Sequence, residues 1–339
     1  DINMQTQAFI AVTAQPVPYY ADTTAIFNTL CQPNSNSLLL DSAEIGSKNS
    51  LQSLILVNAA VKITCLGHNV TFRALNENGK QVLKEIHPKL TALGKVSAVN
   101  FDDEFSVQFS PLDNQLDEDS KLQSATIFDG LRVVSTLYQH SQTPIFLGGL
   151  FAYDLVANFI PMDGITLQND GINCPDYSFY LAEHLITIDH QNQQATLKSF
   201  CFAQEEQVNI AKTSLSIAQK LKNIDNVLSI KAASDEVKTN FDDPEFTGIV
   251  KALKHHINIG DVFQIVPSRR FSLACPNTLA SYAQLKQNNP SPYMFYMNNE
   301  DFILFGASPE SALKYEPENR QLEIYPIAGS RPRGFDAHG

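Results

Sequence analysis

The sequence predicts an α+β protein of largely antiparallel sheets with flanking helices. Strand-type runs follow one another directly, at residues 54–66 and 69–75 and again between 293 and 325, instead of alternating with helices in βαβ fashion. No P-loop, dinucleotide-type glycine fingerprint, H-E-x-x-H or G-x-S-x-G occurs, so the common nucleotide and hydrolase scaffolds have no support.

Residues 22–31 read as a short helix with Asp22 as N-cap and Ala25, Ile26 and Leu30 on one face. Leu38-Leu39-Leu40 is short enough for a buried strand, and it ends at the polar pair Asp41-Ser42. Residues 54–66 and 69–75 form a hairpin about Gly67-His68. Asn76-Glu77-Asn78-Gly79 reads as a turn, followed by a helical stripe at Val82, Leu83, Ile86 and Leu90. Residues 102–121 are acidic, aperiodic and broken at Pro111, which predicts a long connection. A helix over 124–138 is expected from Ile127, Leu131, Val134 and Tyr138. Residues 144–159 read as a strand running through Gly148-Gly149 into a short helix, with two more strands at 177–189 and 196–202. Residues 205–221 predict an amphipathic helix buried along Val208, Ala211, Leu215, Ala218 and Leu221.

Periodicity is lost over 223–243, which places the main boundary between a region 1–225 and a region 240–339. Asp243-Pro244 then reads as N-cap and N1 of a helix with a buried stripe at Phe246, Ile249, Val250, Leu253 and Ile257, ended by Gly260. Strands are expected at 262–273, 293–298, 302–306, 311–315 and 322–325, with a helix near 278–287.

The 339 residues suffice for roughly two or three domains. Hydrophobic content of 43% is ordinary for a globular core, and a formal charge of −12 argues against a nucleic-acid partner. Five scattered cysteines, never in a C-x-x-C pair, point away from a disulfide framework or structural zinc and towards a reducing cytoplasm. The sequence offers neither a signal peptide nor a membrane-length apolar run.

Several segments could carry chemistry. His255-His256 are neighbours on a helix and face different directions, so they cannot chelate one ion and read as surface histidines. Asp102-Asp103-Glu104 and Asp117-Glu118-Asp119 read as solvated charge runs. Residues 260–270 (GDVFQIVPSRR) combine a helix stop, an apolar strand and paired arginines. In residues 289–295 (NPSPYMF) two prolines stiffen the entry to an aromatic strand, which suits either core packing or the wall of an apolar pocket. Residues 323–334 (EIYPIAGSRPRG) end a strand in a small-residue turn followed by Arg331 and Arg333. That turn is either a solvated surface feature or a place where backbone N–H groups, a hydroxyl and guanidinium groups meet an anion.

These segments together resemble the large (component I) subunits of anthranilate synthases, in the chorismate-utilising enzyme family. The matching residues are 38–45 (LLLDSAEI), 148–156 (GGLFAYDLV), 174–179 (CPDYSF) and 260–273 (GDVFQIVPSRRFSL), then 289–296 (NPSPYMFY), 305–315 (FGASPESALKY) and 326–334 (PIAGSRPRG). The match runs in order along nearly the whole chain. It implies the fold of that family, with its C-terminal part incomplete here. The segment beyond Gly339 would hold the Mg²⁺-ligating glutamates and the catalytic histidine.

The resemblance implies conversion of chorismate and ammonia to anthranilate and pyruvate in tryptophan biosynthesis. The ammonia would come from glutamine through a partner amidotransferase subunit (component II). Ala328, Gly329 and Ser330 correspond to one edge of the chorismate pocket, and no catalytic residue or metal ligand is expected within this chain. Relatives that make isochorismate or aminodeoxychorismate carry lysine where this chain has Ala328, and a methyl group cannot act as base or nucleophile. Ser330 stands where threonine is more frequent, keeping the hydroxyl and losing a methyl. Leu40, Asp41, Ser42, Pro292, Tyr293 and Met294 correspond to a feedback site for L-tryptophan, with Asp41 where glutamate is common. Two alternatives are a fragment that only binds tryptophan, without catalysis, and a member of the aminodeoxychorismate branch.

Overall fold

A computed structural model describes residues 6–31, 36–42, 51–100, 103–165, 172–224, 236–330, 332, 334–335 and 337–338. The architecture is α+β. Two compact units divide it, one of residues 1–227 with 285–339 and one of residues 228–284.

The first unit opens with β1 (Ala11–Val17), α1 (Thr23–Leu30), β2 (Ser37–Asp41), β3 (Gln52–Leu66) and β4 (Asn69–Ala74). It continues with α2 (Glu77–Leu90), β5 (Lys95–Asn100), β6 (Glu104–Gln108), α3 (Glu118–Gln123), α4 (Asp129–Leu137) and β7 (Leu147–Phe151). A 3₁₀ turn at Tyr153–Asn158, β8 (Tyr177–Asp189), β9 (Gln194–Cys201) and α5 (Gln207–Lys220) follow. In the second unit lie β10 (Lys238–Thr239), α6 (Asp243–Asn258) and β11 (Phe271–Ser272), and α7 (Thr278–Asn288) runs out of it. The chain then adds β12 (Tyr293–Asn298), β13 (Ile303–Ser308), β14 (Lys314–Glu316) and β15 (Gln321–Glu323).

Eleven of the described strands form one antiparallel sheet, seven of them along the path β1-β9-β8-β3-β2-β12-β13 and β4, β5, β6 and β7 paired off it. Its spine is the long pair β3–β8, whose register shifts between Leu56 and Val61. One end of β3 pairs with β2 and the other with β4, while β8 takes β9 at one end and β7 at the other. An irregular register bends a strand locally and lets one pair serve two sets of neighbours. The core lies where α2 and α4 cover this sheet, around Val61, Ile63, Phe72, Val82, Ile86, Phe105, Val134 and Tyr177.

Local physics explains most elements. Asp22 caps α1, its carboxylate accepting from the Ala25 N–H at 3.1 Å. Asn76 caps α2, accepting from the Gly79 N–H at 2.9 Å, so residues 77–79 are its first turn and not the separate turn expected. Gly79 is required there, because a Cβ would stand 1.9 Å from the Ala60 carbonyl oxygen.

The expected long connection at 102–121 contains β6, in which Phe105 and Val107 are buried. Its acidic flanks hide a two-residue alternation only five residues long. The preceding β5 was not expected either, and α4 begins at Asp129, later than the pattern suggests. The buried face of α5 is Ile210, Ser214, Ile217 and Leu221, whereas Val208 and Leu215 are exposed. A helix with apolar residues on two faces buries the one the sheet can reach, and here a serine lies on it.

In the second unit the N-cap is Asp242, one residue earlier than expected, in a capping box with Glu245. Gly260 ends α6 at φ +85°, as its sequence position predicts. The expected buried stripe is at most half-buried, and Ile257 is exposed. The strand expected at 262–273 is reduced to β11. Phe263 and Val266 stand exposed, because an apolar run becomes a strand only where another backbone completes its ladder.

Candidate functional site

The junction of β2 and β12 gathers one predicted group of residues. Their antiparallel register sets Asp41 opposite Met294 and Leu40 opposite Phe295. Side chains alternate across a sheet, so the group divides between two faces. Asp41 and Met294 are buried on one, while Leu40 and Tyr293 are exposed on the other. Pro292 and Ser42 are half-buried at the strand ends. On the open face Phe295 lies over Gly306 of β13, where a Cβ would come within 2.7 Å of the phenyl ring. That glycine makes room for the aromatic wall.

Beneath this face the Asp41 carboxylate is enclosed. Thr23 Oγ1 donates to its Oδ2 at 2.8 Å, Lys286 Nζ reaches the same oxygen at 2.5 Å, and Ser53 Oγ donates to Oδ1. Lys286 also donates to Thr23 at 3.3 Å. Ser53 Oγ lies 2.8 Å from His190 Nε2, and His190 Nδ1 lies 2.9 Å from the Tyr19 hydroxyl. Burial pushes His190 below the ordinary histidine value, and Lys286 adds to that while Asp41 opposes it. The ring thus links the Tyr19 hydroxyl to Ser53, which in turn donates to Asp41.

Sequence reasoning found Asp41 and missed Thr23, Ser53, His190 and Lys286. Lys286 is 245 positions away from Asp41, and no local pattern could have signalled that pairing.

The second predicted group stands open. Ala328, Gly329 and Ser330 are exposed after the short hairpin β14–β15, and a Cβ on Gly329 would meet nothing within 4 Å. Among the described residues one bond ties the segment down, from the Ile327 N–H to Glu310 Oε1 at 3.1 Å. Arg331, Arg333 and residues 43–45 lie outside the described residues.

Arg269 serves its own unit. It donates to Asp243 at 2.6 Å and to the Phe241 carbonyl at 2.7 Å, and its guanidinium stacks 4.8 Å from the Phe271 ring centre. His256 pairs at the surface with Asp261 at 2.8 Å. Asp117 caps α3 and Asp103 lies 3.4 Å from Lys80, while Asp102 falls outside the described residues. Among the described residues no three His, Cys, Asp or Glu side chains converge to hold a metal ion. A cleft of about 960 Å³ beside α2 and α4 contains none of the predicted residues.

A family profile described as chorismate binding enzyme matches residues 81–338. The chain belongs to the chorismate binding enzyme family. It is 96% identical over 338 residues to an anthranilate synthase component 1 of Haemophilus influenzae, covering all of this chain and 65% of that protein. With the Escherichia coli anthranilate synthase component 1 it shares 43% identity, over 95% of this chain and 62% of that protein. The chain therefore spans a little under two thirds of these relatives' length. In fold it is similar to a crystal structure of anthranilate synthase component I from Streptococcus pneumoniae, at a TM-score of 0.52 and 19% identity, covering 81% of this chain and 54% of that one. No helix among the described residues is long and apolar enough to cross a membrane.

Proposed function

We propose that this chain is part of the large subunit of an anthranilate synthase. The whole protein converts chorismate and ammonia to anthranilate and pyruvate, receiving the ammonia from a glutamine amidotransferase subunit. The observation that carries this reading is the 96% identity to a protein of that name over all of this chain. Ala328 supports the same branch, because its methyl group leaves the nucleophile to come from solution or a partner. Mg²⁺ belongs to this reading as a neutralising ion for the substrate carboxylate. The test is full-length protein given chorismate, Mg²⁺ and ammonia. Anthranilate fluorescence supports the reading, and isochorismate or aminodeoxychorismate as product sinks it.

The β2–β12 junction is the L-tryptophan feedback site in this proposal. The open face of Leu40, Tyr293 and Phe295 suits an indole, and Pro292, Ser42 and the strand ends offer backbone and hydroxyl groups to an α-amino acid. Asp41 and Met294 act from behind. The carboxylate is already held by Thr23, Ser53 and Lys286, so it fixes the strand that carries Leu40 and Ser42. Feedback inhibition follows if tryptophan binds a less active state more tightly than the active one. Equilibrium dialysis of the full-length protein with labelled L-tryptophan checks the site. Undiminished binding after Leu40→Asp and Tyr293→Ala would remove it.

A further inference from the structure

At the end of β12 away from Asp41, a cleft of about 420 Å³ opens beside Lys62 of β3. Lys62 lines this cleft and is 7% exposed. Among the described residues no carboxylate lies within ion-pair distance of its Nζ, and its one acceptor is Asn299 Oδ1 at 3.3 Å. That oxygen is shared, since it also accepts the Asp301 N–H at 3.1 Å. The Asn299 amide donates to Ser178 Oγ at 3.4 Å, which fixes its orientation. An ammonium has three donors, and the described residues offer this one a single acceptor. The neighbouring carboxylate of Glu300 is taken by Arg73 and Asn36.

We propose that this cleft binds a small monocarboxylate with an apolar body, its carboxylate seated on the Lys62 ammonium. Only 7% of Lys62 is exposed, so an incoming anion meets an ammonium that the fold already holds in place. Leu66, Pro175 and Phe302 give the rest of the cleft an apolar wall, and its volume leaves ample room for a ring-sized body. Asp301 also lines the cleft and disfavours a second negative charge, as on a phosphate or a dicarboxylate. Burial pushes the Lys62 ammonium below the ordinary lysine value and Arg73 adds to this, while Glu300 and Asp301 oppose it. A bound carboxylate would act in the same direction as Glu300 and Asp301.

Cys174 provides the readout. It lines the cleft and is exposed, as is Cys275 in the other unit, whereas Cys31, Cys65 and Cys201 are buried. Full-length protein is alkylated with iodoacetamide in the presence of benzoate or of its neutral analogue benzamide, and each cysteine is followed by peptide mass spectrometry. Near-saturating benzoate is expected to slow Cys174 about fivefold or more while leaving Cys275 unchanged. Benzamide is expected to protect less than about twofold, and Lys62→Met to abolish the benzoate effect while Lys62→Arg keeps it. Continued silence of the three buried cysteines shows that a variant is folded. If Lys62→Met exposes them, the benzoate–benzamide contrast in the unmodified protein decides alone. Equal protection by both probes, protection that survives in folded Lys62→Met, or no protection overturns the proposal.

Discussion

The Asp41 cluster and the turn at Ala328–Ser330 are both announced by short sequence motifs, but only one of them is closed. Asp41 sits inside an eleven-stranded sheet, and three side chains from distant elements meet its carboxylate. Ala328–Ser330 follow a two-stranded hairpin, with a single described bond from the neighbouring Ile327. The same kind of local signal therefore marks a finished polar centre in one place and an exposed edge in the other. What separates them is the number of long-range partners. The contrast predicts that substitutions in the first region act on stability and those in the second act on ligands.

The largest effect is expected at Lys286. Its ammonium neutralises a carboxylate that is 1% exposed, so Lys286→Met leaves a buried charge without its cation. The expected loss is about 3 kcal/mol, at the lower end for buried pairs because Lys286 is itself 27% exposed. A shift of the urea-unfolding midpoint measures it. Asp41→Asn combined with Lys286→Met should recover most of that loss, since a neutral amide needs no cation. If Lys286→Met unfolds at the same urea concentration as the unmodified chain, the cluster is not closed and the contrast fails.

A pair of glycines tests the same difference by packing. In Gly79→Ala the new Cβ would meet backbone, the Ala60 oxygen at 1.9 Å, which must push α2 away from β3. We expect a loss of about 3 kcal/mol. Gly329→Ala meets nothing within 4 Å and should change stability by less than about 0.5 kcal/mol. Thermal denaturation of the two variants side by side gives the comparison. Similar melting temperatures would mean that α2 can shift freely.

Acid should also separate closed from open regions. His184 is fully buried between Asn58, at 2.8 Å, and Ser214, at 3.2 Å, and burial pushes its pKa down from 6.5 to about 4. Between those values the unfolded chain binds a proton that the folded chain does not. Stability therefore falls as pH drops from 6.5 towards 4, by up to about 3 kcal/mol from this group. Glu183 works in the opposite direction, because burial raises its pKa and the folded state takes up its proton first. The net slope is smaller than the histidine alone would give. His184→Gln should flatten or reverse it in denaturation series run between pH 7 and 4.5. An unchanged slope would show that His184 does not control it.

Legibility follows the same division. Strands β3, β8 and β12 could be read almost to the residue, because their apolar runs are long and bounded by turns or prolines. The caps Asp22 and Gly260 were legible for equally local reasons. By contrast, β6 is short and flanked by acid, and the inward face of α5 was decided by what the sheet could reach. At the candidate site, sequence named Asp41 and Tyr293 but could not say that they occupy opposite faces, nor find Lys286. Pairings across more than two hundred positions leave no trace in a local pattern. The strand expected at 262–273 failed for the converse reason, since local propensity was present and a ladder partner was not.

The smallest structural effect belongs to Ser330, and it bears on function. The residue is exposed, so Ser330→Ala should leave stability within about 0.5 kcal/mol. If the hydroxyl meets chorismate in the full-length enzyme, its loss should raise KM about tenfold, the usual worth of one hydrogen bond to a charged group. Ser330→Thr keeps the hydroxyl and adds one methyl where the chain leaves open space, so it should stay within about threefold of the unmodified enzyme. Steady-state anthranilate formation over a range of chorismate concentrations measures both variants. A KM untouched by Ser330→Ala would remove this residue from the substrate edge. A large stability loss would instead show that the turn is as closed as the Asp41 cluster, and the contrast between the two regions would be lost.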